Sequence, residues 1–297
     1  MTTPDPNRRR FLGQAALSAG AFTFLTPAML FGAAPNAYTV QQIIDLILKE
    51  GNLKPIPDTV DTIKSGSADQ AVTGIVTTMF ATATVIEQAA KLKANFIIAH
   101  EPTFYNHRDD PDWVKGNDVV KKKQALLEKH KITVWRFHDY CHSLKPDAIR
   151  YGVVKKAGWT QYYKNETPAL TIPPITLGDL VKHLKTKLGI EKLRVVGDLS
   201  QTCSKLAIMP GAAGGQRQVS VAVAEKPNVL IVGETPEWEG VEYARDGRLL
   251  GSKMALIVLG HAVSEEPGME YFVEWLQPKL AGLKVTHVAS GDPFQWI

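Results

Sequence analysis

The 297-residue sequence has little cysteine, no internal repeat and no large excess of either charge. Its two cysteines, Cys141 and Cys203, exclude a disulfide-stabilised miniprotein and a multi-cysteine zinc ribbon, although they could pair with each other in an oxidising compartment. Lys and Arg number 34 against 30 Asp and Glu, so charge gives no reason to expect a nucleic-acid partner. Low-complexity tracts and long charge blocks are also missing, and 44% hydrophobic residues are typical of a globular protein.

The N-terminal segment is typical of an export signal. Three arginines at 8–10 precede a mildly apolar stretch that runs to Ala34. This order resembles a twin-arginine signal peptide. We therefore expect residues 1–34 to be removed and the mature protein to be periplasmic or secreted, with no stable membrane association. An uncleaved membrane anchor is the alternative, since the stretch is about long enough to span a bilayer.

Strand and helix patterns alternate through the rest of the chain. Strands are predicted at 72–79, 95–99, 132–137, 193–196, 206–209, 229–232, 255–259 and 285–289, and helices at 39–50, after Thr82 or Thr84, and at 118–130, 176–188 and 269–280. Alternation with continuous apolar strands predicts an α/β fold whose central sheet is largely parallel. Turn residues are denser in 151–226, so this stretch is expected to form a separate lobe.

Three predicted strands end in histidine. The first is followed by His100-Glu101, the second by His138 with His142 four residues on, and the third by His261 with Glu265 four residues on. Ligands of parallel sheets sit beyond the carboxyl ends of the strands, so we expect these groups to meet at one sheet edge. Imidazole and carboxylate together favour Zn, Fe, Mn, Co or Ni. The residues alone therefore predict a metal site.

The same motifs resemble those of a known family. His-Glu-Pro-Thr-Phe at 100–104 and Gly-His-Ala-Val-Ser-Glu-Glu-Pro-Gly at 260–268 are similar to two hallmarks of the NIF-three-like family (NGG-interacting factor three), also called GTP cyclohydrolase I type 2. The C-terminal motif is the more specific, and the resemblance covers about 39–297. It implies a two-lobed α/β fold with largely parallel central sheets flanked by helices. It also implies a dinuclear metal centre and homo-oligomers, as toroidal hexamers. We place lobe one at 38–150 plus 228–297 and lobe two at 151–227, within a metal-binding domain of 35–297.

The resemblance also implies a set of site residues. Carried over by position, the metal ligands are His100, Glu101, His142, His261 and Glu265, with His138 as a near-site group. Glu101 stands where the family usually has His, and His142 where it usually has Asp. This exchange keeps the number of imidazoles and carboxylates, so we expect a retained site that holds one or two divalent transition-metal ions per chain.

Two carboxylates are candidates for catalysis. Glu265 is one, and Glu237 is the other, because it follows Gly233-Glu234 where the family commonly has a pair of histidines. Glu239 is an alternative to Glu237, and either could be a solvated turn residue. The turn at 211–215 could bind an anion through its backbone, but it lacks the Lys-Ser/Thr of a P-loop. We expect a metal-dependent hydrolase of an unknown small molecule; the alternative is a non-catalytic metal-binding ring or scaffold protein.

Overall fold

Two five-stranded sheets organise the part of the chain that the structure, a computed structural model, describes. That part comprises residues 38–110, 112–164, 167–295 and 297, so the predicted signal segment lies outside it. The strands are β1 (Ile63–Ser65), β2 (Ile75–Thr78), β3 (Phe96–Ala99), β4 (Thr133–Arg136), β5 (Ala169–Thr176), β6 (Arg194–Val196), β7 (Thr202–Met209), β8 (Val229–Val232), β9 (Ala255–Val258) and β10 (Val285–His287). The α-helices are α1 (Val40–Glu50), α2 (Ala83–Lys91), α3 (Asp118–Lys129), α4 (Asp139–Ser143), α5 (Ala148–Lys156), α6 (Leu177–Leu188), α7 (Gly215–Glu225), α8 (Glu242–Leu249) and α9 (His261–Leu276).

Both sheets are parallel at the centre and antiparallel at the edges. The first has the order β1-β4-β3-β2-β10, in which only β1 runs antiparallel to its neighbour. The second has the order β5-β7-β8-β9-β6, with antiparallel strands at both edges. Every residue of β2, β3, β4, β8 and β9 is buried, which explains the continuous apolar sequences of β3, β8 and β9. The predicted α/β class with largely parallel sheets is confirmed.

The sheets divide the chain differently from the predicted lobes in one stretch. Strands β8 and β9 fall in 228–297, which the sequence assigned to lobe one, but both pair within the second sheet. β8 pairs in parallel with β7, and β9 pairs in parallel with β8. Only β10, at the end of the chain, returns to the first sheet, beside β2.

Helices α5 and α9 connect the two hydrophobic cores. Ile149, near the start of α5, packs in the core of the first sheet, whereas Val153 packs in the core of the second. In α9, Phe272 lies in the first core and Val263 contacts the second. The helices cross closely at Gly152 and Gly268, and together they fix the two sheets against each other.

Helix α9 begins eight residues before the predicted start at Met269. The predicted helix begins after Pro267, yet this proline lies inside α9. A proline here removes one backbone donor and introduces steric strain, and the packing of α9 compensates for both. Its early start matters because His261 and Glu265 thereby lie on the first two turns of one helix.

Two further features were left open by the sequence. Thr82, not Thr84, caps α2 by accepting a hydrogen bond from the backbone N–H of Val85. Cys141 and Cys203 are both free and buried, and each belongs to a different core. Within the described residues, none of the helices is both long enough and apolar enough to cross a bilayer.

Candidate metal centre

The predicted ligands converge where strands from both sheets end. His100 and Glu101 directly follow β3, and His138 and His142 lie at the end of β4 and in α4. His261 opens α9, three residues beyond the end of β9 of the second sheet. The expectation of one shared sheet edge is therefore wrong, because β9 belongs to the other sheet. The groups still meet, because α5 and α9 hold the carboxyl ends of the two sheets together.

Each of the four imidazoles has a partner at Nδ1. His100 Nδ1 lies 3.0 Å from the backbone carbonyl oxygen of Phe137, and His138 Nδ1 lies 2.9 Å from Asp139 Oδ1. A carbonyl or carboxylate at Nδ1 keeps a proton on that nitrogen, so Nε2 is the nitrogen that is available to a metal ion.

The other two imidazoles follow the same rule. His142 Nδ1 lies 3.2 Å from Asp147 Oδ2, and His261 Nδ1 lies 3.2 Å from Glu234 Oε2. Asp147 also accepts the N–H groups that open α5, and is therefore fixed itself. All four rings consequently turn Nε2, the usual metal-binding nitrogen, away from these partners.

Two carboxylates occupy the space between the Nε2 atoms. His261 Nε2 lies 3.0 Å from Glu265 Oε2 and 3.4 Å from Glu101 Oε1. Glu265 Oε1 is 3.6 Å from His100 Nε2, and Glu101 Oε1 is 3.7 Å from His138 Nε2. Glu101 and Glu265 thus link the ligands of the first sheet to those of the second.

The arrangement fits a divalent transition metal. There are two groups in which the donor atoms all lie within 4.8 Å of one another. One is His100 with His138 and His142, and the other is His100 with Glu101 and Glu265. His100 Nε2 is completely buried and has no hydrogen-bond partner among the described residues. An orphaned buried nitrogen is costly to the fold unless it binds something, and nitrogen with carboxylate oxygen is a donor set for Zn, Fe, Mn, Co or Ni.

The local electrostatics point the same way. Burial lowers the pKa of His261, but hydrogen bonds and charge from Glu101 and Glu265 outweigh it and raise that pKa to about 10. Burial raises the pKa of Glu265, yet His100 and His261 bring it well below its ordinary value. The metal-free centre therefore holds protons between carboxylate and imidazole, and a divalent cation would displace them.

His138 has the opposite character. Burial, together with the charge of His100, lowers the pKa of His138 to about 4, although Glu101 opposes this shift. At neutral pH the ring is consequently unprotonated. Its Nε2 can bind a cation or accept a proton.

Arg136 positions Glu101. It is fully buried at the end of β4, and its Nη2 lies 3.4 Å from Glu101 Oε2. Its Nε donates to the backbone oxygen of His100 at 3.3 Å, and Nη1 donates to that of His107. One guanidinium therefore fixes both consecutive ligands of the first strand.

The turn at 211–215 begins by packing against the centre. Gly211 has a φ of +68°, and a Cβ there would lie 1.9 Å from Glu265 Oε1. Its backbone N–H donates to Ser264 Oγ at 2.9 Å. Glycine is required at this position because Glu265 takes the space of a side chain. Anion binding by the rest of the turn stays a prediction.

The centre faces a cleft of about 1930 Å³. Glu101, His138, His142, His261 and Glu265 all line it. Glu237 is placed elsewhere: it is exposed in a π-helical turn, where its Oε1 accepts a hydrogen bond from Arg194 Nη1 at 2.9 Å. Its catalytic role stays a prediction.

Sequence reasoning assigned no role to the carboxylates that orient the rings. Asp139, Asp147 and Glu234 each lie beside a ligand in the fold, but only Asp139 is its neighbour in sequence. Glu234 lies two residues after β8, so, like the predicted ligands, it is a carboxylate beyond the end of a predicted strand. Asp147 precedes α5, where the sequence predicts no helix, so nothing in the sequence marked it.

Known proteins match the chain over most of its length. The family model Duf34/NIF3 (NGG1p interacting factor 3) matches residues 61–293. A protein of Clostridium perfringens named GTP cyclohydrolase 1 type 2 homolog is 24% identical over 87% of this chain and 97% of its own. A protein of the same name from Mycoplasmopsis pulmonis is 30% identical over 42% of this chain and 45% of its own.

Solved structures share the fold. Staphylococcus aureus protein SA1388 superposes with a TM-score of 0.71 at 19% identity, over 88% of this chain and all of the other. A Bacillus cereus protein related to NIF3 gives 0.71 at 15% identity, over 89% of this chain and all of the other. At these identities the likeness shows the fold alone. The family model, together with the motifs around the converging histidines, shows that the chain belongs to the Duf34/NIF3 family.

Proposed function

We propose that the protein is a metal-dependent hydrolase that acts on a small molecule in the cleft. The observation that carries this proposal is the convergence of His100, His138 and His261, each oriented through Nδ1, on two buried carboxylates at the cleft wall, with His142 beside His100 and His138. A cation bound there supplies Lewis-acid activation of water and polarisation of the bond to be broken.

Different residues of the centre would bind the cation and accept a proton. His100, Glu101, His261 and Glu265, which are linked by contacts of 3.0 to 3.6 Å, would hold one cation. The two donor groups share His100, whose single available nitrogen can bind one ion, so a second cation would rely on His138 and His142. Where that group binds one cation, His138, whose Nε2 lies 3.7 Å from Glu101 Oε1, would be free to take a proton from attacking water.

Glu265 acts as a ligand in this proposal. Its side chain is almost fully buried between His100 and His261 and against Gly211, so it has no freedom to follow a substrate. Glu234 is the cleft carboxylate with half of its side chain exposed, and it orients His261. The names of the relatives make GTP a substrate to test.

The test combines metal content and turnover. Anaerobically purified protein is analysed for moles of each metal per chain and assayed against phosphoesters, amides and nucleotides, GTP included. We expect at least one transition-metal ion per chain, and turnover that is lost on chelation and in His261→Ala. His130→Ala, which changes a partly buried histidine beyond α3, should retain both metal and turnover. Bound metal without turnover would instead support a metal-binding scaffold.

We further propose that the chain is exported and forms hexamers. The support for export is the arginine and apolar pattern of residues 1–34, and the support for hexamers is the resemblance of the motifs. N-terminal sequencing of protein from the periplasm tests the first proposal. Light scattering coupled to gel filtration tests the second.

A further inference from the structure

Lys123 is a buried lysine in the wall of the cleft. It is the last of three consecutive lysines on α3, and only 8% of its surface is exposed, whereas Lys121 and Lys122 point outward. Lys122 and Lys123 line the cleft that contains the metal centre. A buried ammonium group costs free energy unless partners compensate for the lost water.

The fold compensates this charge only weakly. Lys123 Nζ donates to the backbone oxygen of Thr103 at 2.7 Å and lies 5.1 Å from the ring centroid of Tyr105. Among the described residues, no carboxylate comes within 4.0 Å of it. Asp109 acts on it only through space, since both Asp109 oxygens accept backbone N–H groups, from Thr103 and Phe104.

The ammonium group of Lys123 therefore has N–H donors that are not used within the fold. It carries three N–H donors, and one of them is used by a carbonyl oxygen. Burial lowers the pKa of Lys123 to about 8, against the opposing charge of Asp109, so the group is still charged at neutral pH. An apolar side chain of similar length would fill the same volume without the desolvation cost.

The charge of the cleft wall is divided. Its carboxylates all contact imidazoles of the metal centre: Glu101, Asp139, Asp147, Glu234 and Glu265. Lys122, Lys145 and Arg217 are exposed and line the same cleft as Lys123. With one divalent cation bound, these five carboxylates face two charges on the metal and four on Lys122, Lys123, Lys145 and Arg217, so the wall is left with a small excess of positive charge.

We propose that Lys123 binds an oxyanion of the substrate, a phosphate or a carboxylate, within the cleft. The proposal rests on the proposed function, because it takes the cleft as the substrate site and names anionic molecules as the substrate class. A substrate oxyanion would supply the charge partner that the fold leaves out. It would also hold the substrate beside the metal centre by one fixed end.

Lys123→Met tests the proposal, with inorganic phosphate and acetate as separate probes. Isothermal titration at constant ionic strength measures the affinity of each probe for protein of known metal content. We expect Lys123→Met to bind the relevant probe at least about tenfold more weakly than the natural protein does. Lys121→Met, an exposed lysine on the same helix, should bind as the natural protein does. A loss confined to phosphate identifies a phosphate substrate, and a loss confined to acetate identifies a carboxylate.

Stability separates a binding role from a structural one. Since methionine removes a poorly compensated buried charge, we expect the Tm of Lys123→Met to be equal to or higher than that of the natural protein. Unchanged affinity for both probes would overturn the proposal. So would a weaker affinity accompanied by a lower Tm, because Lys123 would then only support the loop at Thr103.

Failure of the metal centre would look different. Elemental analysis of the same samples reports metal per chain for every variant. Metal-free protein that still binds phosphate through Lys123 would refute the metal-dependent function and support the oxyanion site. Metal-loaded protein that binds neither probe through Lys123 would do the reverse.

Discussion

At the scale of single residues, the centre depends on how each imidazole is turned. Sequence motifs identified the residues that converge, because His and Glu at strand ends carry a recognisable spacing. They did not identify the partners at Nδ1, since Asp147 and Glu234 approach their histidines through the fold. The convergence of these residues could therefore be predicted from the sequence, whereas the orientation of their rings could not.

Glu234→Ala tests this orientation. Glu234 Oε2 is the partner of His261 Nδ1 at 3.2 Å, so its removal frees the ring to turn or change tautomer. We expect metal affinity to fall by about tenfold or more. Competition with a chromophoric chelator measures it. Glu237→Ala is the matched control, because Glu237 pairs with Arg194 and should leave metal affinity unchanged. Equal affinities in the two variants would contradict the orienting role.

The lowered pKa of buried Lys123 predicts how the free energy of unfolding changes with pH. Its pKa is about 8 in the folded chain against 10.5 ordinarily. Between these values the unfolded chain holds a proton that the folded chain has released, so stability rises with pH. Below pH 8 both states are protonated and the burial penalty is complete. The natural protein should therefore gain roughly 3 kcal/mol at most relative to Lys123→Met as the pH rises through this window.

Urea unfolding of both proteins at pH 7 and pH 10 measures the difference. Lys123→Met should be the more stable at pH 7, and the gap should narrow at pH 10. Lys121→Met serves as the control for general effects of high pH. A gap that widens with pH would show that the sign of the Lys123 contribution is wrong.

At the scale of elements, short α4 depends on a residue from a distant loop. Asp61 is buried and accepts the N–H groups of His138 and Tyr140 at 2.8 Å and of Asp139 at 3.1 Å. A five-residue helix has few internal hydrogen bonds, so this carboxylate holds it in place. His138 and His142 are thereby presented on one face.

Asp61→Asn should loosen that helix. One carboxylate oxygen becomes an NH₂ group, which cannot accept a backbone N–H and leaves a donor facing a donor. We expect the free energy of unfolding to fall by roughly 2–3 kcal/mol, together with metal content. Urea unfolding and elemental analysis measure the two effects. Asp69→Asn, on the exposed surface of the same region, should change neither; equal stability of the two variants would contradict the role of Asp61.

Helices and strands with one clear pattern of apolar residues could be predicted from the sequence. Fully buried or irregular ones could not. The apolar runs of β8 and β9 and the amphipathic α6 lie within a residue or so of their predicted bounds. Helix α5 was not predicted, because it is buried by both cores and lacks an amphipathic period. Edge strand β5 was hidden by Pro173 and Pro174, which an edge tolerates.

At the scale of the whole molecule, the centre exists only while the two sheets stay in place. Ligands after β3 and β4 belong to one sheet, and those at the start of α9 follow a strand of the other. No local pattern could predict this, since sheet membership is decided by long-range pairing. The crossing of α5 and α9 fixes the distances between the predicted ligands.

Gly268→Ala should break that crossing. A Cβ on Gly268 would lie 2.5 Å from Ile149 Cα, and one on Gly152 would lie 2.4 Å from Gly268 Cα. Because the obstacles are backbone atoms, the helices must separate. We expect the free energy of unfolding to fall by about 2–3 kcal/mol, and metal content to fall with it because α9 carries His261 and Glu265.

Gly247→Ala is the matched control. Gly247 also lies inside a helix, α8, but a Cβ there would meet only Ser252 Cβ at an ordinary 3.6 Å. Alanine should stabilise this helix by up to about 1 kcal/mol and leave metal content unchanged. Urea unfolding and elemental analysis of both variants give the comparison. If Gly268→Ala proved as stable and as metal-loaded as Gly247→Ala, the helix crossing would not be what joins the two halves of the centre.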